Sequence, residues 1–83
     1  MRLLGKQLLI LASDGVSFRS LQVMRRQFEK QGGELFVTTP EPYLTIETVH
    51  NNQRGKDVLV DIPIELVDPE SFDGVIVPDG SVS

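Results

Sequence analysis

The run Lys6 to Ala12, KQLLILA, has no polar residue after Gln7 and is of strand length. A strand with one wet face alternates apolar and polar residues, whereas an unbroken run is the pattern of a strand buried on both faces of a parallel sheet. Such a strand needs a neighbour on each side and a layer over each face. It is also far below the roughly 18 apolar residues of a membrane helix. Ser13-Asp14-Gly15 follows at once, supplying a turn and side-chain oxygens for the free N–H groups of a helix start.

From Ser17 the apolar positions Phe18, Leu21, Met24 (with Val23) and Phe28 recur every three or four residues, opposite Gln22, Arg25, Arg26 and Glu29. That spacing predicts an amphipathic helix. Gly32-Gly33 is expected to end it, because glycine takes the left-handed conformation past a helix C-terminus, and Lys30 suits the last turn. Glu34 to Thr39 (ELFVTT) reads as a second strand, making a β-α-β unit with a right-handed crossover. Pro40-Glu41-Pro42 closes it.

Tyr43 to Val49 alternates and is β-branched, and its expected hairpin mate is Asp57 to Val60, with His50 to Gly55 as the polar turn. Ile62 to Leu66 is short and interrupted by Pro63. Asp68-Pro69-Glu70 looks like a helical-turn start, with proline first and acids in the first turn. Gly74 to Val77 is another buried strand, broken by Pro78-Asp79-Gly80.

Composition removes several function classes. With no cysteine among 83 residues there is no disulfide, thiolate metal site or thiol nucleophile, and the lone His50 forms no metal cluster by itself. A net charge of −4 argues against general attraction to nucleic acid or anionic membranes. The pair Arg25-Arg26, with Lys30 a turn on, reads as a solvated helix side. The opening MRLLGKQLLILAS is interrupted by Gly5-Lys6-Gln7 and followed by Asp14, which disfavours a secretory signal. A soluble, cytoplasmic chain without a cofactor is expected. No glycine-x-serine-x-glycine elbow is present, and His50 is far in sequence from any plausible serine nucleophile. Asp14, Asp61 and Asp73 are candidate paired acids, each with a simpler explanation as a cap or strand-end group. SDGVS offers Gly15 and hydroxyls at a helix start for an anion, but without a phosphate-loop lysine or a GxGxxG pattern.

Taken in order, LLILASDG, a helix closed by Gly32-Gly33, ELFVTTPE, RGKDVLVD and VDPESFDGVIVPDG resemble the ThiJ/PfpI family, among the flavodoxin-like domains related to class I glutamine amidotransferases. The likeness runs from about residue 6 to residue 80 and rests on the ordered set. It implies an α/β fold: part of a flavodoxin-like three-layer sandwich, with a mostly parallel sheet and a small β-hairpin, residues 1–83 forming one partial domain.

Family members look like cysteine-dependent proteases, amidases, deglycases or holding chaperones, commonly dimeric. The resemblance gives the backbone of Gly80 an oxyanion-hole role, with Asp79 standing where the family has glycine. It places Ser17 and Ser20 at the family's acidic positions, where neither serine holds a charge. The family's nucleophilic cysteine and its histidine would fall beyond Ser83. The chain therefore reads as the amino-terminal part of such a protein, inactive alone, or as a degenerate, non-enzymatic structural or interaction module. Part of a doubly wound sheet leaves an apolar edge and an uncovered face, so a second copy or a complementing chain is the expected partner.

Overall fold

The computed structural model describes residues 4–78. The apolar run forms β1 (Gln7–Leu11), and the other parallel strands are β3 (Glu34–Thr38) and β8 (Gly74–Ile76). Between them lie β2 (Val16–Ser17), α1 (Phe18–Lys30), β4 (Thr45–Ile46), β5 (Thr48–His50), β6 (Gln53–Arg54) and β7 (Val58–Leu59). The fold is a small mixed α/β domain.

In the main sheet β1 is central, paired in parallel with β3 on one side and β8 on the other. Leu8 sits opposite Leu35 and Gly74, and Ile10 opposite Val37 and Ile76. Because side chains alternate across a strand, these residues share one face and Leu9, Phe36 and Val75 share the other.

Helix α1 covers the first face, where Leu21, Met24 and Phe28 pack with Leu8, Ile10, Leu35, Val37 and Ile76. Ile10 is sealed completely, a burial worth about 1.5–3 kcal/mol. Val23 sits at the margin of the expected stripe and is exposed. The helix ends as the glycine pair requires. Gly32 has φ 91°, its N–H donates to the Glu29 carbonyl, and the Gly33 N–H reaches back to that of Phe28.

The second face is better covered than an isolated half-sheet suggests. Pro69–Ser71 forms the expected helical turn, a 3₁₀ turn capped by Asp68, whose carboxylate accepts the Glu70 N–H. This turn delivers Phe72 edge-on against Phe36, with ring centroids 5.7 Å apart. Leu9, beside Phe36 in register, is only 4% exposed. The strand expected to be buried at Gly74 to Val77 is not: exposure on this face is concentrated at β8, where Val75 is 55% exposed because no layer covers it among the described residues.

The predicted hairpin is corrected in its inner half. β4 and β7 pair antiparallel, Thr45 with Leu59 and Ile46 with Val58, as expected. The turn, however, narrows to Asn51-Asn52, both at positive φ (54° and 62°), so that β5 and β6 pair within the segment expected to be loop. β5 also runs parallel to β2, an unanticipated pairing. Between the two ladders one arm has residues 47–48 and the other 55–57, so the returning arm carries one extra residue, a bulge.

Gly55 makes that bulge possible. Its N–H donates to the Thr48 carbonyl, while the buried Thr48 hydroxyl donates to the Lys56 carbonyl at 2.6 Å. A Cβ on Gly55 would lie 2.6 Å from Thr48 Oγ1. Gly55→Ala is therefore expected to cost about 1–3 kcal/mol in urea unfolding, the usual range for overpacking at a site that cannot yield. A loss below about 0.5 kcal/mol, the level of an ordinary surface change, would mean that the bulge relaxes freely.

Candidate functional site

Ligands of open α/β sheets sit beyond the carboxyl ends of the parallel strands, so the loops after Leu11, Thr38 and Ile76 are the first place to seek chemistry. After β1 the chain turns through Ser13-Asp14-Gly15, with Gly15 at φ 95°. Asp14 Oδ1 accepts the Glu47 N–H at 2.9 Å, and the Gly15 N–H donates to the Glu47 carbonyl at 2.9 Å. The loop is thus stitched to the strand entering the hairpin. Its aspartate has a structural task.

Ser17 is the N-cap of α1. Its Oγ accepts the Ser20 N–H at 3.2 Å, satisfying a donor that a helix start leaves free. Ser20 contributes that amide from the first turn, and its exposed side chain faces a shallow groove shared with Met24, Ile76 and Pro78. After β3, Thr38 is fully buried and, among the described residues, its hydroxyl has no partner. Gly80 lies outside the described residues.

The three aspartates singled out as possible paired acids are engaged separately. Asp73 Oδ2 accepts the Gln7 N–H at 2.7 Å, while its own N–H donates to the Gln7 carbonyl at 2.7 Å. Asp61 Oδ2 accepts the Val37 N–H at 2.8 Å, and the Asp61 N–H returns to the Val37 carbonyl. The same Asp61 oxygen takes Arg25 from α1 at 2.9 Å. Asp14, Asp61 and Asp73 therefore tie down the hairpin entry, the outer edge of β3 and the start of β1, and form no acid pair. This fits the simpler reading of the three as cap or strand-end groups; what the sequence did not show is that each accepts its N–H from a distant segment.

Also missed was a concave surface beside α1. The outer helix residues Arg19, Arg26 and Lys30 face His50, Arg54 and Lys56 of the hairpin across a groove of about 990 Å³. Arg25 and Arg26, read together as one solvated side, part company: Arg25 is held by Asp61 and Arg26 lines the groove. The Arg54 guanidinium lies 3.1 Å from Asp57 and 3.8 Å from Glu47. The hydrogen bond to Asp57, its charge and then that of Glu47 raise the Arg54 pKa above its ordinary value. His50 is the exposed last residue of β5, paired with Gln53 in the ladder.

Among the described residues no helix is long and apolar enough to cross a membrane. Compared with protein-family models and with curated proteins, the chain has no significant match.

The cap geometry separates the two serines. Ser17→Ala is expected to lose about 1 kcal/mol of stability in urea unfolding, as N-cap replacements do. Ser20→Ala, which keeps the amide that the cap uses, is expected to stay within about 0.5 kcal/mol. Equal losses would place Ser20's hydroxyl in a structural role that the geometry does not give it.

Proposed function

We propose that this chain is the amino-terminal part of a cytoplasmic ThiJ/PfpI-like domain, without enzymatic activity of its own, and that it acts by joining its open sheet to another chain. The observation that carries this reading is the outer edge of β8, which is unpaired among the described residues. The strand order β3-β1-β8, all parallel, corresponds to the first three strands of the flavodoxin-like order 2-1-3-4-5. In that order the next strand adds beside the third, here β8.

Among the described residues no strand pairs with the outer edge of β8, and Val75 presents an apolar side chain beside it. An unpaired, apolar strand is a template for another chain. By contrast, the outer edge of β3 is engaged at Val37 by Asp61 and Ile62. The proposed partner is then a second copy or a complementing chain whose strand adds beside β8.

Within this reading, the chain lacks the family's acid, nucleophile and histidine. Ser17 stands at one acidic position and is used as a helix cap, which favours the non-enzymatic version of the domain. An intact member would carry a strand–Cys–His elbow in the complementing part, and its chemistry would still lack a carboxylate at Ser17 or Ser20 to share a proton with the thiol.

Sedimentation velocity tests the edge. The chain is expected to self-associate with rising concentration, and Val75→Lys, which puts a charge on the edge strand, is expected to shift it to monomer. A sharp monomer with cooperative thermal unfolding at every concentration would overturn the reading. Assays with glyoxals and peptides are expected to show no turnover by this chain; turnover surviving stringent repurification would make it an enzyme by a different route.

A further inference from the structure

We propose that the groove between α1 and the β5–β6 hairpin is a binding site for a compact organic polyphosphate, an inference that does not depend on the fate of β8. The chain has 8 cations and 12 acids, yet the charged residues lining this groove are Arg19, Arg26, Lys30, Arg54 and Lys56, with no Asp or Glu. An even allotment would put three acids among those five positions. Arg54 is already paired with Asp57 and Glu47. Among the described residues, Arg19, Arg26, Lys30 and Lys56 have no acidic partner within 4 Å, so four charges remain for a ligand.

Geometry narrows the class. A volume of about 990 Å³ lies at the upper end of small-molecule sites. Guanidinium and ammonium groups on two facing walls suit an anion with several oxygens, which arginine binds in two-pronged fashion. Phe18 and the exposed Val23 add apolar surface for an organic body. The molecule as a whole carries −4, so a long polyanion extending past the groove meets repulsion and a compact one does not.

Calorimetric titration of the full chain with ATP in magnesium-free buffer, beside pyrophosphate, adenosine and single-stranded DNA, tests the site. Saturable ATP binding is expected, weakening as salt screens the charges. The variant R26Q/K30Q/K56Q, changed only at exposed groove positions, is expected to bind at least about tenfold more weakly, since charged hydrogen bonds are being removed. Lys6→Gln, a charge loss outside the groove, is expected to leave affinity unchanged. Pyrophosphate should bind more weakly than ATP, and adenosine not measurably. No binding of ATP, equal weakening by Lys6→Gln, or adenosine binding as well as ATP would overturn the proposal. DNA binding that tightens with length would assign the groove to nucleic acid instead, and pyrophosphate matching ATP would refute the organic body.

Discussion

Leu9 and Ile10 are consecutive, project to opposite faces of the sheet, and are both buried. A strand with that property cannot lie at an edge or on a surface, and the remaining elements follow from giving it cover. β3 and β8 occupy its two hydrogen-bonding edges. Helix α1 covers the Ile10 side with Leu21, Met24 and Phe28. On the Leu9 side, the turn at Pro69–Ser71 brings Phe72 onto Phe36. Cover thins at β8, whose outer edge is unpaired among the described residues and whose Val75 faces outward. The proposed association would use the place where the demand set by β1 stops being met.

Charge is divided in a way that net charge conceals. Asp14, Asp61 and Asp73 are used internally, each accepting a backbone N–H from another segment, which secures chain crossings that apolar packing alone does not orient. Most cations are instead gathered on the wall of one groove. An acidic chain can thus present a locally basic concavity, and arguments from total charge reach only as far as extended partners.

The parts of the fold governed by local chemistry were legible in the residues. The apolar run predicts β1, the Phe18-Leu21-Met24-Phe28 spacing predicts α1, Ser17 is the cap, and Gly32-Gly33 closes the helix. What depends on long-range register was not. The inner hairpin required Asn51 and Asn52 at positive φ and a bulge at Gly55, and neither follows from alternation in Tyr43 to Val49. The basic groove joins Arg26 and Lys30 to Arg54 and Lys56, which come together only because β5 docks beside β2 at the helix start. The four-residue spacing of Arg26 and Lys30 was a visible signal; the facing wall was not.

The direct measurement is amide hydrogen exchange across the chain at increasing protein concentration. If β8 is the strand at which another chain adds, protection of Gly74 to Val77 rises with concentration while that of Leu8 to Ile10, paired on both edges, stays high throughout. Protection that stays constant at β8 and grows instead along β3 or the hairpin would contradict the account.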